Sequence, residues 1–348
     1  MNDVHLYAII PSGEKMTFPV TGMNGDHDEV QTIPHGEIAA VVSASPVMDY
    51  QGLTREQVIH YLLTHQRVIE TVMHNFPVLP VKFGTTLGRD TGIPRLLAQG
   101  EALFRRTLNQ FAGQQQFEVV ALWKTEEVLQ EISQDEAIRH FKDELRARGT
   151  EISLSERVAL GQMVHAAMVQ RRNDLRDRIL AVMREVAVDT ISNALLDDGM
   201  VVNLAILINQ SDYGVLNERL QALDEEFAGR LNFRCVGPLP PHSFACVQVW
   251  EPTFETIDPA RRLLGLDETA FPGDIKRAYR QLARQWHPDI NPDDPEAEAH
   301  MTALTNAYNL LTLYADNQMA TPDDSQPTPC RFDRAMVECA LVIAIQRQ

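Results

Sequence analysis

His287-Pro288-Asp289 closes the stretch IKRAYRQLARQW (275–286), and no acidic residue lies between Ile275 and Pro288. Lys276, Arg280 and Arg284 recur at i, i+4 and i+8, with Arg277 beside them, so a helix would carry them on one face. Ile275, Tyr279, Leu282, Ala283 and Trp286 fall at i, i+4, i+7, i+8 and i+11, a separate apolar stripe of the same helix. This is the chemistry of docking: an uncompensated positive face steers toward an acidic surface and fixes register on it. Pro288 must end the helix, because proline disfavours helical geometry in the residue before it and has no N–H to donate.

The elements that position this face read directly from spacing. After the acidic loop NPDDPE comes EAEAHMTALTNAYNLL (296–311), where Met301, Leu304, Ala307, Tyr308 and Leu311 repeat an apolar helical stripe. Upstream, RRLLGL (261–266) is a short helix ending in glycine. Residues 259–317 are therefore expected to form a compact helical module, with two antiparallel helices joined at the tripeptide and a short helix packed on them.

Other chemical constellations are sparse. The chain has no G-x-x-x-x-G-K-[ST], no G-x-G-x-x-G after a strand and no G-x-S-x-G. His60, His65 and His74 share one expected helix, but His60 and His65 are five apart and do not share a face as a metal pair would. Glu70 and His74 have the i, i+4 spacing of a surface ion pair. The four cysteines form no C-x-x-C pair and read as reduced thiols. No enzymatic activity, cofactor or metal is expected.

The 348 residues suffice for two or three domains, and 31 Lys+Arg against 48 Asp+Glu give a net charge of -17. That balance opposes nucleic-acid binding, which needs a basic surface to release counterions, and opposes docking on anionic lipid. The apolar runs VVNLAILI (201–208) and ALVIAI (340–345) fall short of the ~20 residues that span a bilayer. The N-terminal segment lacks the cations of a signal peptide, so a cytoplasmic protein is expected.

Before the helical module, VHLYAII (4–10) and GEIAAVVS (36–43) read as buried strands separated by a loop, followed by a helix capped by Thr54. The apolar stripe of that helix is Leu62, Ile69, Val72 and Met73. VLPVKFGTT (78–86) is a short strand, 93–111 a helix and FEVVALW (117–123) a strand. The pattern is helical from Thr125 to about Asp198, broken near Gly149; VVNLAILINQ (201–210) is a strand and 212–229 a helix. LNFRCVG (231–237) and SFACVQVW (243–250) are expected to pair through PLPPH. The fold class is α+β: two small α+β (ferredoxin-like) domains, 1–115 and 116–254, then the helical module at 255–318 and a linker with tail at 319–348. The tail is a docking helix or an added strand, with Val342, Ile343 and Ile345 favouring a strand.

Two resemblances follow from these residues. The LLGL start, the basic helix ending in His287-Pro288-Asp289 and the NAYNLL helix together resemble the J-domain of DnaJ-type co-chaperones over about residues 258–317. The resemblance implies that Lys276, Arg277, Arg280, Arg284, His287, Pro288 and Asp289 dock on a DnaK-type chaperone and stimulate its ATP hydrolysis. Trp286 stands where tyrosine is common, the zinc module and Gly/Phe-rich linker of general J-proteins are missing, and TLYADNQ (312–318) lacks the basic residues usual in a fourth helix.

The ordered set HLYAII, VLPVKFGTTL, FEVVALWK, NLAILINQ and VGPLPPHSFACV resembles the GvpL/GvpF family of gas-vesicle proteins, with Lys82 and His242 departing from its usual residues. It implies a role in gas-vesicle assembly, with the apolar shell protein and sibling accessory proteins as partners. The competing readings are a structural scaffold whose J-like module no longer stimulates a chaperone, and a general J-domain co-chaperone.

Overall fold

The computed structural model describes residues 3–25, 28–45, 52–149, 152–291, 296–318 and 329–347. The chain divides into two compact units, one of residues 1–109 with 245–346 and one of 110–244 with 347–348.

The first unit opens with β1 (Asp3–Ile10), β2 (Thr17–Thr21), β3 (Glu29–His35) and β4 (Ile38–Ala44), followed by α1 (Arg55–Met73), β5 (Leu79–Pro80), β6 (Thr86–Gly88) and α2 (Gly92–Gln110). The antiparallel sheet runs β2-β3-β4-β1-β5, with β6 also paired to β1. β1 and β4 are its centre, which is why their sequences are near-continuous apolar runs. The segment expected as a loop between them contains the hairpin β2–β3, hidden because Pro19, Pro34 and interspersed polar residues break the alternation. Thr54 caps α1 as expected: the Gln57 N–H donates to Thr54 Oγ1, and the Gln57 side chain accepts from the Thr54 N–H at 2.9 Å. The buried face of α1 is His65, Val68, Ile69 and Val72, whereas Leu62 is 48% exposed and lies outside the stripe expected for it.

The second unit contains β7 (Gln114–Trp123), α3 (Thr125–Ser133), α4 (Glu136–Ala147), α5 (Leu154–Met183), β8 (Asp189–Ser192), β9 (Met200–Asn209), α6 (Tyr213–Phe227) and β10 (Leu231–Leu239). Its all-antiparallel sheet has the order β10-β7-β9-β8, the split ferredoxin-like arrangement. The helical pattern stops earlier than its sequence indicates: α5 ends at Met183 and β8 follows, where β-branched Val186, Val188, Thr190 and Ile191 replace the alanines. The expected hairpin between 231–237 and 243–250 does not form. β10 pairs with β7, and the later strand joins the first unit.

Back in the first unit come β11 (Cys246–Trp250), α7 (Phe254–Leu263), β12 (Thr269–Ala270), α8 (Pro272–Trp286), α9 (Ala297–Gln318), β13 (Cys330–Arg331), α10 (Arg334–Glu338) and β14 (Val342–Gln346). The tail is thus helix and strand together, and β14 pairs antiparallel with β11 from Cys246↔Gln346 to Trp250↔Val342. The helical module is inserted between two paired strands, so neither residue 254 nor residue 318 separates compact bodies. Its core, Ile257, Leu264, Ile275, Leu304, Leu311 and Tyr314, includes the tail residues Cys330, Phe332, Val337 and Val342. The TLYADNQ segment continues α9 without a break to Gln318.

Candidate docking face

α8 begins with Pro272, whose missing N–H costs nothing at a helix start, and the Asp274 carboxylate accepts from the Phe271 N–H at 3.1 Å. Its apolar side faces α9. Ile275 is buried, the Tyr279 ring stacks on Tyr308 with centroids 4.4 Å apart, and Trp286 stacks on His300 at 4.5 Å. These aromatic pairs fix the rotation of α8 about its axis and turn Lys276, Arg277, Arg280 and Arg284 outward, all four exposed. Arg277 pairs with Asp274 at 3.0 Å; among the described residues Lys276, Arg280 and Arg284 have no ion-pair partner.

The helix stops at Trp286, and His287 takes an extended conformation (φ -62°, ψ 132°) ahead of Pro288. The turn that follows is closed on His287. Its carbonyl accepts from the N–H groups of Ile290 (2.9 Å) and Asn291 (3.0 Å), and the Asn291 side-chain amide donates to the Gln285 carbonyl at 2.8 Å. The Asp289 N–H donates to His287 Nδ1 at 3.1 Å, which places the proton of the neutral ring on Nε2. The Asp289 carboxylate lies 3.5 Å from the same Nδ1 and is 88% exposed. A cationic helical face, an imidazole N–H and an exposed carboxylate are therefore displayed in sequence along one surface. The seven residues expected to act together lie on one helix and the turn that ends it. Asn291, which clamps the end of α8, escaped sequence reasoning; an asparagine just past a helix end, able to donate to its last carbonyls, was the available signal.

The other sequence candidates resolve into structure. His74 Nδ1 donates to the Glu70 backbone carbonyl at 2.7 Å, while the Glu70 carboxylate accepts from the Gln66 amide, so the expected Glu70–His74 ion pair is not formed. His65 is buried and bonded to His5. In the GPLPPHSF segment the Ser243 N–H donates to Gln116 Oε1 and Gln116 Nε2 donates to Ser243 Oγ, both at 2.9 Å, fastening the loop to β7. A Cβ on Gly237 would lie 2.4 Å from Phe117 Cδ1, which explains the glycine there. Burial raises the Glu118 pKa above the ordinary carboxylate value, partly offset by the Gln116 amide and His242. Among the described residues no group of three His, Cys, Asp or Glu side chains could hold a metal, and no helix is long and apolar enough to cross a membrane.

An α+β scaffold carrying a tripeptide-ended basic helix against an antiparallel partner defines a J-module set in a larger body, and the model for the DnaJ domain matches residues 262–318. The chain belongs to the GvpL/GvpF family: the model described as "Gas vesicle synthesis protein GvpL/GvpF" matches residues 3–246. Gas vesicle protein L1 of Halobacterium salinarum is 27% identical, covering 70% of this chain and 90% of the relative. Over the module, DnaJ homolog subfamily C member 5 of Tetronarce californica is 52% identical across 50 residues, 14% of this chain and 26% of that relative. The crystal structure of GvpF from an Anabaena species has the same fold, with a TM-score of 0.61 at 21% identity, covering 70% of this chain and 98% of that one.

Proposed function

We propose that this protein assists gas-vesicle assembly in the cytoplasm and at the gas vesicle. Its GvpL/GvpF body binds shell or sibling accessory gas-vesicle proteins, and its J-module brings a DnaK-type chaperone to them. The observation that carries this reading is the exposed face of Lys276, Arg280 and Arg284, without an ion-pair partner among the described residues, leading into the His287-Pro288-Asp289 turn on one chain with a GvpL/GvpF body. An isolated exposed ion pair contributes ~0.2–1 kcal/mol, so several cations together with the turn are needed for useful affinity. Their common field also raises the encounter rate. A shell protein that forms continuous apolar sheet exposes edges and faces that aggregate before assembly. Covalent fusion of client-binding body and chaperone-recruiting module raises the effective concentration of one for the other. The role is that of a binding and recruiting protein without chemistry of its own.

Affinity capture of the full chain from cells producing gas vesicles tests the client. Enrichment of shell or accessory gas-vesicle proteins together with the DnaK-type chaperone supports the proposal. Capture of assorted unfolded chains, with no enrichment of gas-vesicle proteins, overturns it in favour of a general co-chaperone.

A further inference from the structure

The helical module leaves the body at Trp250 and its chain returns at Val342, and these two residues are partners in one ladder. β11 is itself attached to the N-terminal domain: the Lys82 N–H donates to the Val247 carbonyl at 2.9 Å, and Val81 and Val247 form a parallel bridge. The returning segment, residues 329–346, grips both sides.

Toward the module, the Phe332 N–H donates to the Glu268 carbonyl (2.9 Å) and the Tyr314 hydroxyl donates to the Arg331 carbonyl (2.8 Å). Asn317 makes a two-way bond to the Ile343 backbone, accepting from its N–H at 2.8 Å and donating to its carbonyl at 3.0 Å. Arg334 pairs with Glu255 at 2.7 Å and sits over the Phe254 ring. Toward the body, Gln99 donates to the Leu341 carbonyl at 2.8 Å and Arg95 donates to the Cys339 carbonyl. Phe332, Val337 and Val342 are buried in the module's core, so the segment is packed as well as bonded.

We infer that residues 329–346 are a strap that mounts the J-module rigidly on the N-terminal α+β domain. A module on a single flexible tether would explore a sphere of orientations. Two attachments side by side in one ladder, locked by Asn317 and by Arg95 and Gln99, remove that freedom. No strap bond given above involves residues 276–289, so the docking face stays open while the strap is seated. Resting on the docking reading proposed above, a bound chaperone is then held at one distance and orientation from whatever the body binds.

The test is a distance distribution between spin labels in the full chain, at Arg67→Cys on α1 and Gln281→Cys on α8, with exposed Cys235 and Cys339 changed to serine. A narrow distribution is expected with the native strap. Asn317→Leu combined with Ile343→Pro removes the two-way bond and should broaden it by about 10 Å, the spread of a three-residue flexible tether at residues 251–253. A broad distribution with the native strap overturns the inference, whatever the variant does. So does an unchanged narrow one in the variant once hydrogen exchange shows β14 released. Chaperone stimulation by the same samples separates the two ideas: its absence throughout would count against the docking reading and leave the strap result standing.

Discussion

Lowering the pH from 7 to 5 is expected to loosen the N-terminal sheet through two buried imidazoles. His5 on β1 and His65 on α1 are joined by a 2.9 Å hydrogen bond between His5 Nε2 and His65 Nδ1, and His65 Nε2 lies 3.1 Å from the Val81 carbonyl. The carbonyl can only accept, so His65 carries its proton on Nε2, its Nδ1 accepts, and His5 donates from Nε2. Both rings are neutral. His5 Nδ1 is buried with no hydrogen-bond partner among the described residues, and the rings beside the pair include those of Tyr7 and Phe83. Burial, helped by the neighbouring His65, pushes the His5 pKa down to about 3. Burial lowers His65 to about 4 against the opposing effect of the Val81 carbonyl.

The unfolded chain binds these two protons near pH 6.5, whereas the folded chain refuses them until about pH 4 and below. The stability they represent is therefore complete above pH 6.5 and is lost as pH falls from there toward 4 and 3. At pH 5 each imidazole is ~30-fold protonated in the unfolded state and still neutral in the folded one, a loss of about 2 kcal/mol per ring and ~4 kcal/mol for the pair. Hydrogen exchange of the β1 amides, corrected for the intrinsic rate at each pH, reads this as an approximately thousandfold fall in protection. The double substitution His5→Gln, His65→Gln should remove most of that pH dependence. Protection that differs less than tenfold between pH 7 and pH 5, or an equal fall in the double variant, would show that the buried imidazoles do not set the pH dependence.

Arg280→Glu with Arg284→Glu should raise the half-saturating chaperone concentration at least about tenfold at low salt and by less at high salt, as screening of exposed charges requires; a salt-independent loss would point to misfolding. Gln116→Ala leaves the Ser243 N–H and hydroxyl without their partner and should cost about 1–3 kcal/mol in urea unfolding, with the GPLPPHSF loop gaining hydrogen exchange. A chain ending at residue 320 loses Phe332, Val337 and β14, exposes the apolar surface they cover and should give a lower soluble yield; an unchanged yield would contradict the packing of the tail.

What the sequence disclosed and what it hid divide along physical lines. α8 and its turn were legible because two independent periodicities and a proline lie within fourteen residues, and local rules suffice there. The same holds for β1, β4, β7 and β9, whose apolar runs mark central strands. The pairing of β11 with β14 was not legible, because the partners lie about a hundred residues apart and strand pairing leaves no local mark. The proximity of SFACVQVW to LNFRCVG made a hairpin look natural, yet β7 takes β10 instead. β8 was concealed behind a long helix with no glycine or proline to end it. His65 was readable only as one histidine among three on a helix; its partner His5 is sixty residues away, in a strand that otherwise reads as a buried run.

As proposed above, the turn at His287 would make this GvpL/GvpF family member a partner of a DnaK-type chaperone. Steady-state ATP hydrolysis by that chaperone, measured with the intact protein and with His287→Gln, reads out that partnership. Stimulation by the intact protein, abolished by a substitution that leaves the Trp286–His300 stack and the helical signal unchanged, is the result expected. Equal rates with the intact protein, with the variant and with neither would contradict it.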